Sequence, residues 1–132
     1  MSAEADALER CIAAGAVALF GADTVYGLAC DPENPSAVER LYALKGRPAG
    51  KPSAVMWFGV ERALEAMPEL GPRAREALLA LLPGGLTVLA PNPGHRFPLA
   101  CADDPDTLGI RVPAIPELGA ARYAVCLLYT SD

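Results

Sequence analysis

The stretch "GADTVYGLACDPENPSAVERLYALKGRP", Gly21 to Pro48, sets an Asp-Thr turn, a helix-like segment and a cationic Lys-Gly-Arg-Pro in quick succession. Just upstream, "AVALF", Ala16 to Phe20, is a continuous apolar run bounded by glycines, the pattern of a strand buried on both faces. That strand leads into the turn at Asp23 and Thr24, with Tyr26 following in the same turn. Pro35 and Ser36 then open a helix in which Val38, Leu41, Tyr42 and Lys45 share a stripe. Gly46 and Pro48 end it, so Lys45 and Arg47 stand at a helix exit.

Working outward, the apolar positions Ala7, Leu8, Cys11 and Ile12 recur at helical spacing between Ala3 and Ala14, with Gly15 where a C-terminal cap belongs. "SAVMWF", Ser53 to Phe58, reads as a strand, followed by helical segments around Glu61 to Met67 and Pro72 to Leu82. "LTVLAP", Leu86 to Pro91, and "TLGIRVP", Thr107 to Pro113, are further strands rich in β-branched and apolar residues. A Pro-rich loop, "NPGHRFPLACADDPD", joins them. A last helix is expected from near Pro116 through "ELGAARYAV". Strands separated by helical patterns predict an α/β fold, an open twisted mixed sheet with flanking helices, as a single domain over residues 1–125. The closing "CLLYTSD", Cys126 to Asp132, matches a reading frame of a transposon-end adaptor used in sequencing libraries. It is expected to be a non-native tail without a closing element, leaving the domain incomplete at its C-terminus.

A hydrophobic share of 52% against 20% charged residues excludes a disordered chain. The net charge of −5 argues against wrapping nucleic acid wholesale. It still allows a local cationic site, and Arg40, Lys45, Arg47 and Lys51 fall within twelve positions. No apolar run approaches the roughly 20 residues of a membrane-spanning helix. Glu4, Asp6 and Glu9 stand where a signal peptide carries positive charge, so a cytoplasmic location and no membrane contact are expected. The four cysteines show no C-x-x-C spacing, and the single His95 completes no zinc set; no metal ligands are assigned.

Among residues suited to chemistry, Lys45, Arg47, Lys51 and Arg111 are candidates for stabilising charge that develops on phosphate oxygens and on departing pyrophosphate. Arg offers a planar fork and Lys a mobile point charge. Surface cations after a helix have the same appearance. Arg111 lies inside an apolar strand, where an isolated charge is expensive, so it reaches either a ligand or a structural ion pair. Thr24 and Tyr26 follow a strand end, where open α/β sheets place ligands; a turn cap and a core aromatic remain the alternatives. "PGGLT", Pro83 to Thr87, brings two glycines for close backbone approach, or simply ends a helix. Asp103, Asp104 and Asp106 read as a solvated loop.

"DTVYGLACDP", "AVERLYALKGRPAGKP", "PGGLTVLAP" and "TLGIRVP", in that order, resemble the YrdC-like family of threonylcarbamoyl-AMP synthases from about Ala16 to Pro116. The resemblance implies a nucleotidyltransferase that makes threonylcarbamoyl-adenylate and pyrophosphate from L-threonine, bicarbonate and ATP, with Mg2+ accompanying the ATP. Its product serves threonylcarbamoyladenosine formation in tRNA through a downstream threonylcarbamoyl transferase. By motif, Lys45 and Arg47 match the K-x-R pair and are expected as catalytic and nucleotide-binding residues. Lys51 matches the following Lys-Pro, beside the nucleotide. Thr24 and Tyr26 match the T-V-Y-G segment of the threonine and nucleotide pocket. Thr87 and Arg111 match substrate-binding positions, Arg111 for the threonine carboxylate or a phosphate. The chain departs from the pattern at Gly21-Ala22, where the family reads Pro-Thr, and at Gly85, where it reads Pro. The downstream Ser-x-Asn motif is absent, so the chain is expected to be an inactive fragment. A double-stranded RNA or tRNA binding module on the same cations is the alternative.

Overall fold

The computed structural model describes the backbone of residues 3–22, 25–115 and 125–129, and the side chains of these outside residues 4, 20–26 and 125–129. The decisive stretch folds as a hairpin followed by a helix. β1 (Ala18–Ala22) and β2 (Val25–Cys30) pair antiparallel, Tyr26 opposite Gly21. Tyr26 therefore belongs to a strand, where aromatic and β-branched residues fit the pleat, and not to the turn expected from the sequence. β1 is also an edge strand, paired only with β2 among the described strands, and Leu19 is 63% exposed. The expectation of a strand buried on both faces fails there because an apolar run shows hydrophobicity but not how many neighbours the strand has.

Helix α2 (Pro35–Lys45) begins and ends by local chemistry. Asn34 caps it, Oδ1 accepting from the Ala37 N–H, with Pro35 in the first turn where its missing donor costs nothing. Gly46 closes it at φ 70°, a left-handed geometry that favours glycine. Ala37, Val38, Leu41 and Tyr42 form its buried stripe, and the Tyr42 hydroxyl donates to the Lys51 carbonyl at 2.6 Å, tying the cationic loop back to the helix.

Among the described residues the remaining elements are α1 (Ala3–Ala13), β3 (Ala54–Met56), α3 (Val60–Ala66), α4 (Pro72–Leu81), β4 (Val88–Pro91), α5 (Pro98–Cys101), β5 (Thr107–Arg111) and β6 (Val125–Tyr129). The sheet runs β1-β2-β6-β3-β5-β4, with β3 and β5 parallel and the other neighbours antiparallel. It is the open mixed sheet expected, with two differences. A short helix, α5, interrupts the Pro-rich loop. Val125–Tyr129 forms a strand between β2 and β3, where no closing element was expected, while residues 116–124 of the expected last helix lie outside the described residues.

One face of the sheet carries the main core. Cys30, Val55, Ala90, Leu108 and Ile110 pack with Leu41, Tyr42, Ala63, Leu64 and Leu78 from the helices. Burying such side chains contributes about 1.5–3 kcal/mol each. On the other face α1 packs against β1, burying Ala5, Leu8 and Ile12. The β3-β5-β4 end of that second face stays open, with Leu89 72% exposed and Thr87 exposed.

Asn92, 3% exposed, holds the connection from β4 to β5. Its Nδ2 donates to the Arg96 and Pro105 carbonyls at 2.9 and 3.2 Å, and its Oδ1 accepts from the Arg96 N–H.

Candidate functional site

Residues two apart on a strand share a face. Leu108 and Ile110 of β5 enter the core, so Thr107, Gly109 and Arg111 present to the open face. Arg111 is 9% exposed, and its Nη1 donates to Thr87 Oγ1 at 3.1 Å. The register explains the meeting. Val88 pairs with Ile110, and Thr87, one step further, falls opposite Arg111. The Arg111 carbonyl accepts from the Trp57 N–H and the Val112 carbonyl from the Gly84 N–H, at 3.0 and 2.9 Å, so the Pro83–Leu86 loop is fixed beside the end of β5. A Cβ on Gly85 would stand 4.0 Å from Arg111 Nη2, at the outer limit of ordinary contact.

Between Thr87 and the start of β5 runs a trough of about 260 Å³, whose lining includes Pro52, Ser53, Thr87, Leu89, Asp104 and Thr107. Ala54 and Gly109 complete its lining. A Cβ on Gly109 would meet Thr87 Cγ2 at 3.5 Å and the Ala54 backbone at 3.6 Å, ordinary contact distances. Arg47 does not line the trough, but its Nη2 donates at 2.7 Å to the carbonyl of Pro52, which does. Its Nε is buried with no hydrogen-bond partner among the described residues.

The structure thus brings Thr87 and Arg111 into contact and ties Arg47 to the same trough. Lys45 is half-buried in the last turn of α2, and Lys51 is exposed in the loop after it. Among the described residues neither ammonium has a hydrogen-bond or ion-pair partner, and neither lines the trough. Thr24 lies outside the described residues, and for Tyr26 only the backbone is described. Sequence reasoning missed Ser53, Asp104, Thr107 and Gly109. The alternation of β5 was a usable signal for Thr107 and Gly109, since both share the parity of Arg111; nothing local marked Asp104.

With this geometry in place, comparison with known proteins is informative. Residues 10–125 match the Sua5/YciO/YrdC family, described as "Telomere recombination". A threonylcarbamoyl-AMP synthase from Halorhodospira halophila is 34% identical over 119 residues, covering 89% of this chain and 62% of its relative. One from Hahella chejuensis is 33% identical over 102 residues, covering 77% and 55%. The chain therefore spans just over half the length of these relatives. Among solved structures, P. abyssi Sua5 complexed with L-threonine superposes with a TM-score of 0.77 at 22% identity, covering 95% of this chain and 38% of the other. That likeness concerns the fold.

Proposed function

The chain belongs to the Sua5/YciO/YrdC family, and on that premise we propose that it carries the cationic half of a threonylcarbamoyl-AMP synthase site. The observation that carries the reading is the Arg111 guanidinium, buried at the end of β5 and bonded to Thr87, which lines the same trough as Pro52, whose carbonyl accepts from Arg47. Two relatives bear the synthase name, and the P. abyssi protein was captured with L-threonine.

In the proposed reaction the threonine amine takes up bicarbonate with loss of water, giving a carbamate. A carbamate oxygen attacks the α-phosphorus of ATP, the bond to the bridging oxygen of the β-phosphate breaks, and pyrophosphate leaves. Two anions must approach one another, so fixed cations lower the barrier by neutralising charge that grows at the transition state. Arg111 and Arg47 are the fixed forks; Lys45 and Lys51 are mobile charges suited to the polyphosphate. Mg2+ would accompany the triphosphate, and among the described residues no set of three His, Cys, Asp or Glu side chains gathers. The adenylate would then donate its threonylcarbamoyl group to a tRNA adenosine on a separate transferase, with AMP as the leaving group. None of the described helices is long and apolar enough to cross a membrane.

The test is pyrophosphate release from ATP, measured for the 132-residue chain and for the product of its whole gene. Release is expected to require both threonine and bicarbonate. Lys45→Ala, a change at a side chain without a structural partner among the described residues, is expected to lower kcat about 10²-fold. Release that ignores threonine, or a fully active Lys45→Ala variant, would overturn the reading.

A further inference from the structure

The loop that follows α2, from Gly46 to Ser53, carries Arg47 and Lys51. On its far side the Gly50 carbonyl accepts from the Asp103 N–H at 3.2 Å, and the Ser53 N–H donates to the Ala100 carbonyl at 2.8 Å, so the loop is joined to α5 and the turn after it. In its middle, Lys51 is held through both main-chain groups. Its N–H donates to the Pro48 carbonyl at 3.1 Å, and its carbonyl accepts from the Tyr42 hydroxyl at 2.6 Å. Tyr42 is 6% exposed and belongs to the main core. A phenylalanine ring would fill the same place. What the hydroxyl adds is a bond from the core to the loop, and because Tyr42 stands one helical turn before Lys45, that bond sets where the Lys51 main chain lies relative to Lys45.

We propose that Tyr42 is a positioning residue: its hydroxyl, by holding the Lys51 carbonyl, fixes the spacing of the Lys45 and Lys51 main chains and so preorganises the cationic loop for a polyphosphate anion. This rests on the ATP-dependent reading above, in which those lysines neutralise the phosphates. Tyr42 acts through Lys51 and not by contact with the anion. A loop that is already placed presents its ammonium groups at once. A loose one must be ordered at the moment of binding, and the conformational entropy lost is subtracted from the affinity. Without the hydroxyl the Lys51 carbonyl turns to water and the middle of the loop loosens, while the Gly50 and Ser53 bonds keep its far side in place.

The experiment is calorimetric titration of the 132-residue chain with inorganic tripolyphosphate, for wild type, Tyr42→Phe and Asn34→Ala. Asn34 caps the opposite end of α2, about 16 Å from Lys45, so its loss weakens the same helix without touching the loop. Tyr42→Phe is expected to bind about three- to tenfold more weakly than wild type, and Asn34→Ala as tightly as wild type. Hydrogen exchange at the Lys51 amide is expected to quicken in Tyr42→Phe and to slow again under saturating tripolyphosphate, because ordering and binding are coupled. Undiminished affinity in Tyr42→Phe, equal weakening by Asn34→Ala, or unchanged exchange at Lys51 would each overturn the positioning role while leaving polyphosphate binding intact. If wild type binds no tripolyphosphate, the ATP-dependent reading fails and the positioning role fails with it.

Discussion

Arg111 was legible on its own because it carries a charge where the surrounding strand is apolar, and such a group must find a partner, whereas Thr87 was marked only by the motif resemblance. That they are partners of each other is a consequence of register, since twenty-four positions separate them in the chain. Asn92 illustrates the opposite case. Nothing in "APNPGHRF" distinguishes it from a turn residue, yet it is buried and satisfies carbonyls on both sides of the loop that leads to the trough. Asn92→Asp removes the amide donors and faces a carboxylate toward two carbonyl oxygens. It is expected to cost about 3 kcal/mol, more at neutral pH than in acid. Urea unfolding followed by the fluorescence of Trp57, the single tryptophan, measures this directly. Trp57 packs edge-on against Phe97 of that loop, ring centres 5.5 Å apart, and so reports the affected region.

At the scale of elements, helix ends were well predicted because caps are local. α2 starts at Pro35 and stops before Gly46 as the sequence implies. A Cβ on Gly46 would meet nothing within 4 Å, so Gly46→Ala isolates the cost of left-handed backbone. Its expected effect is a loss of about 1 kcal/mol in thermal or urea unfolding, with no change in the packing of Leu41 or Tyr42. The link between the α3–α4 connection and the β4–β5 connection is electrostatic. Arg96 donates through Nε and Nη2 to the two carboxylate oxygens of Glu69, at 2.7 and 2.9 Å. That hydrogen bonding holds the Glu69 carboxyl below its ordinary value and raises Arg96. A carboxyl depressed in the folded state contributes stability that is present above the unfolded pKa, about 4.3, and is lost as pH falls through the lower folded value. Both side chains are partly exposed, so the contribution is about 0.5–1 kcal/mol. Glu69→Gln should lose it at pH 7 and flatten this part of the acid limb of the stability curve. An unchanged acid limb would show that the pair contributes nothing.

For the whole molecule, an open sheet leaves two edges, β1 and β4, among the described strands. β4 ends in Pro91 with Pro93 close behind, which blunts pairing with another chain. β1 has no such protection on its described residues, and Leu19 exposes 63% of its surface. Leu19→Lys is expected to reduce concentration-dependent scattering while changing unfolding free energy by no more than about 0.5 kcal/mol. Scattering that persists would locate self-association elsewhere. The sequence alone determined the α/β class, the limits of α2, and the order of motifs by which the family is recognised, because caps, periodicity and motif wording act over a few residues. Only the tertiary structure decided that Tyr26 lies in a strand, that β6 enters between β2 and β3, and that Pro52, Thr87, Asp104 and Gly109 line one trough. Strand partners are chosen by which whole faces can be buried together, and that choice joins residues dozens of positions apart.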